Sequence, residues 1–551
     1  MFPLLIVVTT FIYKCLLYHY EFGFSIESGL LKVLLSDGNY IAIIVILLVD
    51  YKVRSQSITV VKSLLACLLY VIYLCDFILT RLVNTRLYIS DLVKFYGEFI
   101  KLGEIAQVDI LLSAILTLSL FIIFVRSESI IISRMQFSSL PVVFLVTISS
   151  YFYPRNSVVE SFFQNVLVVN LDNSYMVNYS DEFHKIFSFK PNISCNNIEA
   201  IKPSNIYIFV LESWSKYQSK HYGGLNDWTP RLDKLASENI TLKNFHANSY
   251  STEGGLYSLL TGKPLIEMPG FIGTNGSINV NNMPVDNSIL ETLSSFGYEK
   301  HFITSGNLNF LNKKEWLKKL GFDKIIGSDN FEENQKKYLF NSVNDQKLFE
   351  KAKNIFDSNT NYKFVIVENV GTHPPFYSPG KNGIVKSEES SFRYTDMHLG
   401  ELIDSIDRKN NLIIVVSDHR ALTPITENEL DLYGDMAASQ IPAFIIWDGI
   451  RSTIETDSQQ SDLIKSISNA MQGKSCNGDI EGSIYPFDNA TEAQCIVFRR
   501  GDYRSWITTR CNGKNSNAIL DGDNTRLVNG KQIKRDVSID IINYLRLTHE
   551  N

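Results

Sequence analysis

The chain changes character near residue 155: long apolar runs dominate before it, and mixed apolar and charged sequence follows. A helix needs roughly 20 apolar residues to cross a bilayer. Five runs approach that length, at about 2–20, 38–51, 58–80, 108–126 and 136–153; the second is short and extends back into Val33-Leu34-Leu35. A cleaved signal peptide would account for the first run alone, and no small-residue cleavage site follows it. Lys52, Arg54 and Lys62 flank the loop between the second and third runs, and Arg126 and Arg134 bracket the loop between the fourth and fifth. The excess of positive charge in cytoplasmic loops places both loops, and with them the N-terminus, inside. Everything beyond about residue 155 is then extracytoplasmic. Residues 88–104 alternate apolar and charged positions at helical spacing, which suits a helix at the outer surface. Asp76 and Arg81 sit near the outer end of the third run, where a charge either serves a function within the membrane or snorkels to its surface, the second being preferred.

Residues 155–204 read as a linker, with an amphipathic stretch from Val158 to Leu171 suited to lie along the membrane and a polar run at 192–197. From Asn205 the pattern becomes short unbroken apolar runs. These are Ile206–Leu211, Phe364–Val367, Leu412–Val416 and Ala443–Trp447, with His301–Thr304 weaker. Runs of this length predict strands buried on both faces. Helical patterns separate them, at 230–239, 287–296, 341–358, 392–409 and 462–471. The alternation predicts an α/β domain over 205–471 with a mostly parallel central sheet, preceded by a polytopic membrane domain over 1–154. Residues 472–551 form an extension. Cys495–Phe498 and Tyr503–Thr508 predict a small antiparallel sheet there, and Ile539–Leu547 predicts a closing helix.

Composition adds less. The 45% hydrophobic content averages two unlike parts, and a net charge of −6 without a basic block excludes nucleic acid as a partner. Three of the seven cysteines, Cys15, Cys67 and Cys75, lie in the apolar runs. Cys195, Cys476, Cys495 and Cys511 lie in the polar part without the paired spacing of a zinc site, and an oxidising compartment would make them disulfides.

Ligands of parallel α/β sheets bind at the carboxyl ends of the strands. The residues that follow the apolar runs are therefore the candidates: Glu212-Ser213, Ser417-Asp418-His419, and Glu368 through Pro375 with His373 inside. The segment Asn248-Ser249-Tyr250-Ser251-Thr252-Glu253-Gly254-Gly255 reads as a turn that presents a hydroxyl at a helix N-terminus. Two carboxylates, one imidazole and a hydroxyl make a site for one divalent ion, with Mn²⁺, Zn²⁺ and Mg²⁺ as the matching metals.

Several of these segments resemble the sulfatase-like branch of the alkaline phosphatase superfamily. They are Leu211-Glu212-Ser213, His221-Tyr222-Gly223-Gly224, Thr229–Ala236, Thr252–Leu265, Gly371-Thr372-His373-Pro374 and Ser417-Asp418-His419. Gly297-Tyr298, Ser305–Phe310 and Leu320–Asp323 look like the enzymes that decorate periplasmic glucans with phosphoglycerol, and five spans before the domain resemble lipoteichoic acid synthase. The resemblance implies that Glu212, Thr252, Asp418 and His419 bind one metal ion, Mn²⁺ first among the three. It further implies Thr252 as nucleophile, with Ser251 the alternative one residue away, and His373 at the phosphate or leaving group. Ser305, Asn307, Asn309 and Lys313 fall in its substrate-binding stretch. Lipoteichoic acid synthases carry a His, a Trp and an Arg there. Lys313 stands in for the Arg here without its bidentate fork.

The expected activity is transfer of phosphoglycerol from a phosphatidylglycerol-type lipid to a cell-envelope glycan, through a phosphothreonine intermediate. The expected place is the bacterial cytoplasmic (inner) membrane, with the catalytic domain periplasmic. A phosphoethanolamine transferase acting on lipid A or glycan is the alternative. A sulfatase or phosphodiesterase follows less well, because Ser251–Gly255 lacks the Pro and Arg of a C/S-x-P-x-R motif. An inactive membrane-tethered binding protein is the third reading.

Overall fold

The computed structural model of the chain describes residues 7–14, 16, 37–38, 40–47, 56–83, 86–88, 91, 165–171, 180–181, 183, 189–266, 283–332, 334–358, 362–381, 383–501, 506–521, 524–527 and 537–548. The chain divides into two compact units, Met1–Asn173 and Ser174–Asn551.

In the first unit, helix α1 (Gln56–Val83) contains Val60–Thr80, the one stretch among the described residues long and apolar enough to cross a membrane. Residues 7–14 and 40–47, inside the first two predicted spans, are also helical, as is the short α2 (Val166–Leu171). The predicted spans at 108–126 and 136–153, the loop residues Lys52, Arg54, Arg126 and Arg134, and most of 88–104 lie outside the described residues. Asp76 does not snorkel. Its buried carboxylate takes Arg86 Nε at 3.0 Å and Nη2 at 2.7 Å, with the Leu87 amide at 2.9 Å. A partner ten residues along supplies the compensation that a charge away from water requires.

The second unit begins with β1 (Ile193–Asn197) and β2 (Asn205–Leu211), followed by α3 (Pro230–Glu238), β3 (Ile240–Leu242), β4 (Phe245–His246) and α4 (Thr252–Thr261). Next come α5 (Ser288–Ser295), β5 (Glu299–Thr304), α6 (Lys313–Leu320), β6 (Lys324–Ile326), α7 (Asp345–Phe356) and β7 (Lys363–Glu368). A hairpin of β8 (Tyr377–Gly380) and β9 (Gly383–Lys386) leads to α8 (Glu388–Ser405), β10 (Asn411–Ser417), α9 (Glu427–Tyr433), β11 (Ala443–Ile446) and β12 (Ser452–Ile454). After β13 (Ser458–Gln459) and α10 (Gln460–Met471) come β14 (Lys474–Gly478), β15 (Cys495–Arg499), β16 (Trp506–Cys511), β17 (Lys514–Asp521), β18 (Asn524–Leu527) and α11 (Val537–Thr548).

Eight strands form the central sheet in the order β12-β3-β11-β10-β2-β7-β5-β6. β10, β2, β7, β5 and β6 are parallel to one another, whereas β11 runs antiparallel to both neighbours. The unbroken apolar runs follow from two covered faces. Along β2, Ile206, Ile208 and Val210 pack into one core with residues of α4, α5, α6 and α10, while Tyr207, Phe209 and Leu211 pack into the other with α3, α7 and α8. Each such side chain contributes about 1.5–3 kcal/mol when fully buried.

The polar run 192–197, expected as linker, is a strand: β1 pairs antiparallel with β14, and a disulfide joins Cys195 to Cys476 across it. A second disulfide, Cys495–Cys511, joins β15 to β16 at one end of the four-stranded antiparallel sheet β15-β16-β17-β18, on which α11 packs. The first bridge ties residues 281 apart in sequence. Closing so long a loop restricts the unfolded chain, so Cys195→Ser/Cys476→Ser is expected to cost about 2–4 kcal/mol. Denaturant unfolding of the double variant checks it, and an unchanged midpoint would count against a stabilising bridge.

Candidate metal centre and active site

The strands β2, β7 and β10 end side by side, so Glu212, Asn369 and Asp418, which follow or nearly follow them, meet at one edge. Ser213 sits in a left-handed conformation (φ 59°), and its amide donates to Asp418 Oδ1 at 2.8 Å. Its hydroxyl donates to Glu212 Oε1 at 2.6 Å. The Glu212 amide donates to Asn369 Oδ1 (2.8 Å), and the Thr372 hydroxyl to the Glu212 carbonyl (2.6 Å). Asp418 Oδ1 also takes the His419 amide at 2.7 Å.

His419 Nδ1 donates to the Arg420 carbonyl at 2.8 Å, which leaves Nε2 as the nitrogen turned to the cluster. That nitrogen lies 3.4 Å from Glu212 Oε1, 3.4 Å from Asp418 Oδ2 and 3.4 Å from Thr252 Oγ1. The Thr252 hydroxyl donates to Glu212 Oε2 at 3.0 Å. Ser251 does not share this place: it is the N-cap of α4, and its hydroxyl accepts from the Gly254 amide at 3.4 Å. Such a cap satisfies a donor that the helix start leaves open. Two glycines let α4 approach so closely. A Cβ at Gly255 would lie 2.2 Å from the Asp418 carbonyl oxygen, and one at Gly254 would lie 2.1 Å from Ser249 Oγ.

Burial and neighbouring charge move the three titratable groups of this cluster in different directions. Burial alone would raise the Glu212 pKa, but the charges of His373 and His419 and the Ser213 hydroxyl outweigh it and hold the carboxyl low. Asp418 moves the other way, because burial and then the Glu212 charge both oppose its ionisation. For His419, burial is outweighed by Asp418 and Glu212, and its pKa is pushed up to about 10. Asp418 Oδ2 is buried without a hydrogen-bond partner. An unmatched carboxylate oxygen, and one ligand atom each from Glu212, Asp418 and His419 within 4.8 Å of one another, fit a divalent cation.

Lys313 joins the site from α6. Its ammonium is gripped by Glu368 at 2.8 and 3.0 Å, and although burial alone would lower its pKa, Glu368 and then Glu253 and Glu212 raise it, so it stays charged. Leu311 and Asn312, both in the left-handed region (φ 54° and 61°), turn the chain into α6 just before it. His373 Nδ1 donates to the Pro374 carbonyl at 2.5 Å, and its ring meets Phe340 edge-on at 4.7 Å.

The other expected substrate residues, Ser305, Asn307 and Asn309, lie in the loop after β5, whose amides reach the Glu368 and Phe340 carbonyls. Ser305 is fully buried, with its hydroxyl accepting from the Val370 amide (2.9 Å), and so braces two loops. Asn307 holds the Asn309 amide in a local turn (2.9 Å), and Asn309 is exposed. Asn369 and Glu368 belong to the candidate segment after the second apolar run, which gave neither a particular role. Asn369 ties the Glu212 amide to Asp345 (2.9 Å) and Thr372 (3.1 Å). Both lie at the end of an apolar run, and that position was the signal.

Residues 204–473, which hold this doubly covered sheet and its carboxyl edge, match the Sulfatase family model. Arylsulfatase J of Mus musculus is 32% identical over 126 residues, which are 22% of this chain and 20% of the mouse protein. The match thus spans about a fifth of that curated relative. An alkaline phosphatase superfamily protein from Vibrio parahaemolyticus is similar at 19% identity and a TM-score of 0.49, over 69% of this chain and 92% of that one. The lipoteichoic acid synthase LtaP of Listeria monocytogenes is similar at 17% identity and a TM-score of 0.47, over 68% of this chain and 97% of that one.

Proposed function

We propose that the chain transfers phosphoglycerol from phosphatidylglycerol to a cell-envelope glycan, with Thr252 as the covalent carrier. The observation that carries this reading is the Thr252 hydroxyl, held at the start of α4 between Glu212 Oε2 and His419 Nε2. A serine or cysteine in a C/S-x-P-x-R setting, which a sulfatase would use, is absent from Ser251–Gly255. Two disulfides suit an oxidising, extracytoplasmic compartment, and the apolar stretch Val60–Thr80 suits anchorage where a lipid donor resides.

In the first step the bond from Thr252 Oγ1 to phosphorus forms and the bond from phosphorus to the diacylglycerol oxygen breaks. Glu212 Oε2, which accepts the Thr252 hydrogen bond, takes its proton, and His373 gives a proton to the departing diacylglycerol oxygen. In the second step an acceptor hydroxyl displaces Thr252: its proton passes to His373, and Glu212 returns its proton to Oγ1. A divalent ion held by Glu212, Asp418, His419 and Thr252 would supply positive charge to the transferring oxygens and favour the threonine alkoxide; Mn²⁺ is the foremost choice, with Zn²⁺ and Mg²⁺ as alternatives. The Lys313 ammonium, fixed by Glu368, neutralises a phosphate oxygen.

The test is transfer by the full chain in detergent from phosphatidylglycerol with a labelled head group. Diacylglycerol and labelled glycan should appear together. Transfer only from phosphatidylethanolamine would replace the head group in this reading, and release of inorganic sulfate from a sulfate ester would replace the reading itself. Lys313→Met is expected to lower kcat/KM on phosphatidylglycerol by about 10–100-fold, the worth of a charge-assisted contact. Because it leaves Glu368 buried without a partner, the double variant Lys313→Met/Glu368→Gln is the comparison. An unchanged kcat/KM in the double variant removes Lys313 from substrate binding.

A further inference from the structure

Helix α6 places its first residue in the reaction site and the rest of its outer side in solvent. Its sequence is Lys313-Lys314-Glu315-Trp316-Leu317-Lys318-Lys319-Leu320, four lysines to one acid. Trp316, Leu317 and Leu320 are buried in the core over the sheet, so the apolar side holds the helix in place. Lys314, Lys318 and Lys319 are exposed. Lys314 and Lys318 stand four residues apart, a like-charge spacing that weakens a helix on its own. Glu315 does not cancel the three. Its carboxyl is held below its usual value, first by the Lys318 hydrogen bond at 2.8 Å and also by the charges of Lys314 and Lys319. Just past the helix, Asp323 is paired with Lys300 at 3.3 Å and Glu299 with Lys324 at 2.7 Å, so these two acids are engaged elsewhere. Other helices differ. Lys347 and Lys353 of α7 are paired with Glu350 (2.6 Å) and Asp357 (3.2 Å), and α9 carries Glu427, Glu429 and Asp431 with no lysine.

The lysine face is continuous with the reaction site. Lys313 Nζ sits on Glu368 and feels the charges of Glu253 and Glu212. At a rise of about 1.5 Å per residue, Lys319 lies only about 9 Å along the axis from Lys313. The polar layer that holds lipid phosphates has a similar depth, about 5–8 Å on each side of a bilayer. A lipid phosphate held at Lys313 therefore leaves the outer lysines within reach of the head groups around it. The chain as a whole carries −6, which an anionic surface repels. A local positive face then decides which side of the domain approaches such a surface.

We propose that Lys314, Lys318 and Lys319 of α6 dock the catalytic domain on an anionic lipid surface, with the reaction site turned to the head groups. The inference deepens the proposed function and rests on its reading of the donor as a lipid. For the test, the full chain is reconstituted in vesicles of phosphatidylcholine alone and of phosphatidylcholine with about 30% phosphatidylserine, an anionic lipid that is not the proposed donor. Brief acetylation of lysines, read by mass spectrometry, reports which ammonium groups are covered. Lys234 on α3, whose side chain is 74% exposed, is the internal reference.

Relative to Lys234, the reactivity of Lys314, Lys318 and Lys319 is expected to fall about threefold or more on the anionic vesicles and to recover in about 0.5 M salt. Equal relative reactivity on the two kinds of vesicle overturns the proposal. A fall that salt does not reverse is no electrostatic docking and overturns it as well. Protection by added polyphosphate on neutral vesicles, without protection on anionic ones, moves the face to an anionic polymer and also overturns it. Phosphatidylserine stands in for the donor throughout, so failure of the protein to cleave phosphatidylglycerol would remove the proposed function and leave this outcome unchanged.

Discussion

Thr252→Ala is expected to lower diacylglycerol release from phosphatidylglycerol by on the order of 10³-fold or more, the scale on which covalent catalysis fails when its nucleophile is removed. That corresponds to about 4 kcal/mol of lost transition-state stabilisation. The loss should appear in kcat, with lipid binding little changed, because the Thr252 hydroxyl lies on the surface of the cluster and not in its packing. Ser251→Ala is the companion variant. Its hydroxyl caps α4, so it should cost about 1 kcal/mol of stability and leave a substantial rate. Full activity in Thr252→Ala would move the reaction to another group. Mass spectrometry of protein quenched during turnover should find glycerol phosphate on the peptide containing Thr252, and on no other.

Chelation of metal should abolish activity, and added Mn²⁺ should restore it. In Asp418→Asn the apparent metal affinity should fall by more than the roughly 10–100-fold that loss of an outer partner costs. The reasoning is electrostatic. Asp418 is buried, its Oδ2 is unmatched, and its neighbours already include Glu212 and His419. Replacing one carboxylate oxygen by an amide nitrogen removes both the charge and the open ligand atom. Calorimetric titration of the metal-free protein reads this without any substrate. Equal affinity in the variant would remove Asp418 from the ligand set. His419→Ala should behave similarly, whereas Asn369→Ala should weaken metal binding less, since Asn369 acts through the Glu212 amide.

Much of this was legible in the sequence, for a physical reason. Strands covered on both faces need apolar residues at every position, so Ile206–Leu211 and Leu412–Val416 announce themselves as central strands. Once the strands are known, the parallel arrangement sends Glu212, Asp418 and His419 to one edge. What escaped was set by pairing rather than pattern. β11 reads like its neighbours but runs against them, because direction leaves no trace in hydrophobicity. The polar run at 192–197 became a strand through its partner β14 and the Cys195–Cys476 bridge, neither of which its own residues reveal. The hydrogen bonds of Ser305 to the Val370 amide and of Asn307 to the Asn309 amide likewise leave no trace in the pattern. The family's register supplied Thr252 over Ser251. In the structure the same preference follows from which hydroxyl the helix start consumes as a cap.

The contact between Gly255 and the Asp418 carbonyl carries a consequence for anyone who would retune this molecule. With 2.2 Å between that oxygen and any added Cβ, no side chain fits between the helix bearing Thr252 and the strand end bearing Asp418 and His419, which form one reacting block. Libraries that randomise residue 255 should return glycine almost alone. New donors and acceptors would have to be won on the other flank, among the side chains around His373, where space remains and the reacting block need not move.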